Sequence, residues 1–322
     1  MRFALAFVCA LAACGCQAVN EGPSRAASSD PIAATEATER GDWKDAADRW
    51  FAVYLADTGK SAHPIVQSAH ALLMLKDLEN ANTMVDLGMK EHPDDPELLE
   101  MKGLVLVSMS FRRPAEKYFQ RAIEIDPKRP VSLLALGRAR IELGLESAAI
   151  APLQEVLRLQ GGSFETYSLL ARALKGSGDP SGSYVAWKKA FEFGGSSIED
   201  MLTASALSLD PDVRRQQPDA AAVCRGWLEK AIAMDPQCTT AHFQLGVLSE
   251  ETGAYDAAIE HYRRAVETDP SCLIALRNLA VLYSGRSDEA KTREMVQRAL
   301  QLEQDADRRR ALLKLLDPFT RK

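Results

Sequence analysis

The chain has 322 residues, 46% of them hydrophobic and 7% aromatic, and a formal charge of −6. This acidic balance opposes a general nucleic-acid-binding role, which calls for a basic surface. Beyond the first residues no apolar run is long enough to cross a bilayer. The length exceeds what a single compact core holds, but not an array that buries surface between neighbouring units.

At the N-terminus, Met1–Arg2 is a short positive start, Phe3–Leu11 an apolar run, and Ala12 and Ala13 precede Cys14. The apolar run is too short to span a membrane, and small residues ahead of a cysteine are the pattern of a secretory cleavage site. The segment resembles a bacterial lipoprotein signal. That resemblance implies removal of residues 1–13 and diacylation of Cys14, which becomes the mature N-terminus. The other reading is an ordinary secretory signal with two incidental cysteines. Cys16 fits less well, because Cys14 and Gly15 would then occupy the positions just before cleavage. Two or more acyl chains anchor stably where one does not, at ~0.8 kcal/mol per buried methylene. Gly15, rather than Asp, follows the lipid cysteine, and the resemblance then implies the outer membrane of a bacterial envelope, facing the periplasm. Residues 14–26 read as an acylated flexible tether, within a stretch from Gln17 to Thr35 rich in Ser, Ala, Glu and Gly and without apolar periodicity.

The rest of the chain keeps a register. Gly246, Ala258, Ala265 and Pro270 stand 12, 7 and 5 positions apart; Gly103, Ala115, Ala122 and Pro127 repeat the spacing, as do Ala69, Ala81, Gly88 and Pro93. Gly137 and Ala149, then Ala171, Ser183 and Ala190, continue the 34-residue step. Such a period means one supersecondary unit copied along an axis, each copy burying its apolar face on the next. Small residues in both halves let two antiparallel helices cross closely, while Phe119, Leu153, Trp187 and Tyr262 fill the remaining contact positions. Pro127, Pro236 and Pro270 stop second helices. Gly144, Gly178 and Gly253 fall in the turn inside a repeat, where a positive φ is expected.

Thr239–Cys272 reads TTAHFQLGVLSEETGAYDAAIEHYRRAVETDPSC, and its Leu245, Gly246, Gly253, Tyr255, Ala258, Tyr262, Ala265 and Pro270 resemble the consensus of the tetratricopeptide repeat family. The resemblance implies an all-α fold, a right-handed α-solenoid of about eight helix pairs closed by a C-terminal capping helix. The repeats fall at 27–60, 62–95, 96–129, 130–163, 164–197, 198–238, 239–272 and 273–306, with the capping helix and tail at 307–322. The sixth repeat carries seven extra residues around Asp210–Asp219, read as an exposed loop because Pro211 and Pro218 bracket a polar run. In the last segment Ala311, Leu312, Leu315 and Leu316 make one helical stripe among basic residues.

In this family the first helix of each repeat lines a concave groove at its second, fifth, ninth and twelfth positions. Carried onto this chain, the resemblance implies an apolar strip of Val66, Leu73, Leu104, Val107, Val131, Leu134 and Ile141, and a basic set of Arg138, Arg172, Lys175 and Arg277. An apolar groove suits an amphipathic helix or apolar peptide; a basic ladder suits an acidic segment or a C-terminal carboxylate. The competing reading is that the aliphatics pack between repeats and the arginines keep the groove solvated. The Lys and Asn clamp of the chaperone-binding members is not found.

No sequence pattern for chemistry stands out: HExxH, a nucleophile elbow, a phosphate-cradling loop and paired CxxC are all missing. His63 and His70 share a helical face, and His242 and His261 fall on two helices of one repeat; all read as ordinary surface histidines. Cys238 and Cys272 hold equivalent positions one repeat apart, at about 8–10 Å, too far for a disulfide, and Cys224 reads as a third unpaired thiol. No cofactor, metal or small-molecule substrate is expected. The expected function is a non-catalytic scaffold at the envelope, taking a peptide or helix of another envelope protein in assembly of a secretion, pilus or cell-wall complex. The alternative is an enzyme or enzyme subunit with its chemistry in the degenerate sixth repeat or supplied by a partner.

Overall fold

The computed structural model describes residues 29–57 and 61–320; the predicted signal, Cys14 and the tether to residue 26 lie outside them. All regular structure among the described residues is helical, and the helices come in antiparallel pairs. In chain order these are α1 (Pro31–Glu39) with α2 (Trp43–Ala56), α3 (His63–Met74) with α4 (Leu78–Glu91), α5 (Pro96–Ser108) with α6 (Arg112–Ile125), and α7 (Pro130–Glu142) with α8 (Glu146–Gln160). Then follow α9 (Phe164–Gly176) with α10 (Pro180–Glu192), α11 (Ile198–Leu207), α12 (Pro211–Gln216) and α13 (Ala220–Met234), α14 (Thr239–Glu251) with α15 (Tyr255–Thr268), and α16 (Leu273–Gly285) with α17 (Glu289–Leu302). Helices α18 (Ala306–Lys314) and α19 (Asp317–Thr320) end the described chain. No described helix is long and apolar enough to cross a membrane.

The chain divides into two compact units, one up to Ser132 and one from Leu133. In the first, each helix packs on the next from α1 to α6, around a core that includes Ile65, Ala69, Leu98 and Phe119. Polar ties stitch this stack: the Tyr54 hydroxyl donates to Glu91 at 2.8 Å and the Ser68 hydroxyl to the Ala47 carbonyl at 2.9 Å. In the second unit α9 packs on α10, α14 on α15 and α16 on α17, and the core includes Leu153, Trp187, Leu228, Leu245 and Tyr262.

Helix starts follow from capping chemistry. Asp95 accepts from the backbone N–H of Glu97 and Leu98 at 2.9 and 3.0 Å, with Pro96 at the first helical position, where a missing N–H loses nothing. Ser197 and Asp200 form a reciprocal capping box at the start of α11.

At the crossing inside a pair small residues meet as expected, the Ser183 hydroxyl donating to the Ala171 carbonyl at 2.7 Å, and a large residue closes over them. A Cβ at Gly103 would lie 2.4 Å from the Phe119 ring, one at Gly137 2.7 Å from Leu153, and one at Gly246 2.4 Å from the Tyr262 ring. Each small first-helix residue therefore seats the large second-helix residue sixteen positions later. The turn inside a repeat takes a left-handed residue. It is Gly41, Gly144, Gly178 and Gly253 (φ 73°, 73°, 87° and 76°) in four repeats, but Lys76, Ser110 and Ser287 (φ 62°, 69° and 57°) in three others.

The expected exposed loop at Asp210–Asp219 is instead the short helix α12. Asp210 caps it, accepting from the N–H of Asp212 at 2.8 Å and of Val213 at 3.3 Å, and Val213 is fully buried in the core beneath α10. Asp-Pro starts a helix here rather than stopping one, because proline's fixed φ suits the first helical turn. At the C-terminus Leu312 is buried against α16 and α17, and the Ser284 hydroxyl donates to the Leu315 carbonyl at 3.2 Å. Helix α18 thus covers the apolar face of the last pair.

Candidate partner-binding face

The first helices of the repeats are α3, α5, α7, α9, α11, α14 and α16, and the groove residues implied by the resemblance lie on them. In the first unit Val66 is buried, 3% exposed, in the core with Ile65 and Ala69. It therefore packs between repeats and presents no binding surface, a correction to the apolar strip. Leu73, Leu104 and Val107 are half-buried, and Val131 is exposed. Two side chains overlooked in sequence share this register: His63, whose Nδ1 lies 3.3 Å from Glu97 Oε1 on the next first helix, and Glu100, which accepts from Arg129 at 3.1 and 3.2 Å. His63 also stands edge-on to Trp50, and His70 edge-on to Trp43, so each of these histidines is placed by its own tryptophan. No group of three or more His, Cys, Asp or Glu that could hold a metal ion occurs among the described residues.

In the second unit Arg138, Ile141 and Arg172 line one depression of about 250 Å³ with Glu142, Glu165, Ser168 and Leu169. The Arg138 guanidinium is ion-paired with Glu165, so the basic ladder is broken by a carboxylate from the following first helix. Arg172 and Lys175 are exposed and make no ion pair among the described residues. Leu134 is half-buried against the core of the fourth and fifth repeats. Arg277 lies 3.8 Å from Glu303, whose side chain is only 4% exposed, so this arginine is held from behind by a buried carboxylate. Around it is a patch that the predicted strip left out: Ile274 and Val281 are more than half exposed, while Phe243 and Val247 lean on the same core. The signal was present, since these four residues occupy the same second, fifth and ninth positions in the seventh and eighth repeats.

The sixth repeat offers no activated nucleophile at its cysteine. Cys224 is buried with its Sγ 3.6 Å from the Ser205 carbonyl, and burial pushes its thiol up, holding it protonated. Cys238 is also buried and Cys272 half-buried, and all three are free thiols. The arrangement on the first helices is one of apolar side chains alternating with mixed charge, which is suited to contact rather than to bond-making.

Residues 213–271 match the family described as "Tetratricopeptide repeat". Over 84 residues the chain is 34% identical to the probable biofilm formation methyltransferase WspC of Pseudomonas aeruginosa, a match spanning 26% of this chain and 19% of that protein. The chain thus corresponds to about a fifth of that relative's length. Among solved structures it is similar to the MamA protein (19% identity, TM-score 0.47, 54% of this chain and 92% of that one). It is also similar to a tetratricopeptide repeat protein from Parabacteroides merdae (12%, TM-score 0.48, 73% and 90%) and to the C-terminal part of a repeat protein from Cytophaga hutchinsonii (14%, TM-score 0.49, 87% and 98%). Residues 213–271 are thus of the tetratricopeptide repeat family, and the 34-residue register with its glycine-against-ring helix pairs gives the chain an all-helical array of the same kind.

Proposed function

We propose that this protein is a non-catalytic interaction scaffold that holds a peptide or helix of a partner against the first helices of its repeats. The depression that joins Arg138, Ile141 and Arg172, with Glu165 pairing one arginine and leaving the other open, carries this reading. A surface of alternating apolar and charged groups on a rigid helical frame selects an extended or helical segment by side-chain register. Arg172 and Lys175 make no ion pair among the described residues, so the segment held by the second unit carries an acidic side chain or a terminal carboxylate opposite them. The resemblance of residues 1–13, followed by Cys14, to a lipoprotein signal supports placing the scaffold at a bacterial envelope through Cys14, facing the periplasm, with envelope proteins as partners in a secretion, pilus or cell-wall assembly.

Two experiments test the reading. Capture of membrane-extracted proteins by the purified chain should fall at least several-fold on the double change Arg172→Glu and Lys175→Glu. It should be unchanged by Arg263→Glu on the second helix of the seventh repeat. Equal capture by all three chains would rule out this face. Separately, labelled fatty acid should enter the wild-type chain and not Cys14→Ser, while Cys16→Ser labels normally; labelling of the Cys14 variant would remove the anchor.

A further inference from the structure

Two histidines of the seventh repeat are placed unlike the surface residues expected of them. His242 on α14 is 8% exposed, and its Nε2 lies 3.1 Å from the carbonyl of Pro236 in the connection from α13. A carbonyl only accepts, so Nε2 carries the hydrogen, and in the neutral ring Nδ1 is a bare lone pair. That Nδ1 is buried with no hydrogen-bond partner. The ring of His261 on α15 stands 6.0 Å away, centroid to centroid, and its Nδ1 is likewise buried and unpartnered. Unpaired polar atoms inside a protein are uncommon, and each calls for a reason.

We infer that His242 and His261 form a proton-sensitive joint between the sixth and seventh repeats, closed when both rings are neutral and loosened when His261 takes a proton. A proton added at His242 Nδ1 would sit in a buried position without an acceptor, beside a second imidazole. The charges acting on His261 come from three helices: His242 on α14, Arg225 and Glu229 on α13, and Glu260 on its own α15. Helices α11 and α16, which also pack on this pair, contribute none of them. Burial, then His242 and Arg225, hold His261 below its ordinary value, and the two glutamates only partly oppose this. A lowered histidine favours the folded state while it is neutral. The unfolded chain takes up its proton near the ordinary value of about 6.5; stability is therefore complete above that pH and is lost as pH falls through and below it. The Pro236 contact and the α13 charges place the loosening at the α13–α14 junction rather than throughout the second unit.

Proton NMR of the intact chain, followed from pH 8 to pH 5, tests this directly. The His261 imidazole should titrate below its ordinary value of about 6.5. Amides of residues 239–268 should exchange several-fold faster at pH 5.5 than at pH 7.5, after correction for intrinsic rates, while those of residues 96–125 do not. His261→Gln should abolish that excess and leave exchange at pH 7.5 unchanged. Titration of His261 at or above that ordinary value, or the same excess in His261→Gln, would overturn the joint; should the variant not fold, the titration of the unaltered chain decides.

Discussion

The sixth and seventh repeats lie side by side in the second unit and solve the same packing problem in different ways. The seventh closes with one contact, the Tyr262 ring seated on Gly246. The ring's hydroxyl donates to Glu250 at 2.9 Å, and burial keeps that hydroxyl far above its usual pKa. The sixth has no glycine–ring pair: Ser205 stands where Gly246 does, with Cys224 Sγ 3.6 Å from its carbonyl, and Leu228 takes the place of the ring. Its extra residues fold into α12, whose one apolar side chain, Val213, is buried, and whose polar ends reach both neighbours. Gln216 accepts from Ser181 of the fifth repeat at 2.9 Å, and Arg214 donates to the Ser208 carbonyl at 2.7 Å and pairs with Glu251 of the seventh. The regular repeat therefore closes by seating a ring on a glycine, whereas the irregular one packs Leu228 and Cys224 of α13 on α11 and adds an element stapled across the stack. The ion pair among these staples keeps about a third of each side chain in water, so it contributes little by itself.

This contrast is broken most severely at the ring. Tyr262→Ala should destabilise the second unit by about 3–5 kcal/mol, the range for deleting a buried aromatic. Gly246→Ala should lose about 1–3 kcal/mol by overpacking, since its Cβ would meet the ring. Urea unfolding followed by circular dichroism measures both. A loss below that of an ordinary surface change at Tyr262 would mean that the glycine–ring contact is not what closes the pair.

The contrast also explains what could be foreseen from sequence. The helix pairs and their turns were legible because the 34-residue step, the capping aspartates and the post-helical prolines all act within one repeat. The contents of the groove were less so. Position five in the second repeat, Val66, faces inward, and the carboxylate that neutralises Arg138 comes from Glu165, 27 residues away. Such pairing links the ninth position of one repeat to the second of the next, and it needs the helix-to-helix register, not the repeat alone. At α12 the polar composition and two prolines pointed to a loop. The Asp210-Pro211 start and the single apolar Val213 were the opposing signals, and tertiary burial of that valine decided the outcome.

A second change sharpens the comparison at α12. Val213→Ala should lower stability by about 2 kcal/mol, the value of one buried valine side chain, and should do so without altering the Gly246–Tyr262 contact. Limited proteolysis reads the same event locally. In the wild-type chain residues 211–216 should resist early cleavage, because the helix is capped and anchored, and in Val213→Ala they should become the first site cut. Early cutting there in the wild type would show that α12 is not closed on its neighbours.

The smallest effect belongs to the turn. Where the regular repeats turn, one residue sits in the left-handed region; in the sixth repeat no residue has a positive φ, because α12 replaces the turn. A non-glycine residue pays about 1–2 kcal/mol for that conformation, and glycine loses roughly half to one kcal/mol more backbone entropy on folding. The difference leaves a net gain of about 0.5–1 kcal/mol for Ser287→Gly, at an exposed site whose N–H donates to the Ser284 carbonyl at 3.0 Å in either chain. Gly253→Ala in the seventh repeat should lose a similar amount, with open space around the new Cβ and only the positive φ against it. Ser208→Gly in the sixth should instead destabilise, since Ser208 has right-handed helical dihedrals and a buried hydroxyl that donates to the Ser205 carbonyl at 2.6 Å. Chemical denaturation of the three single variants measures the signs. A gain at Ser208, or none at Ser287, would show that backbone handedness is not what separates the regular turn from the irregular one.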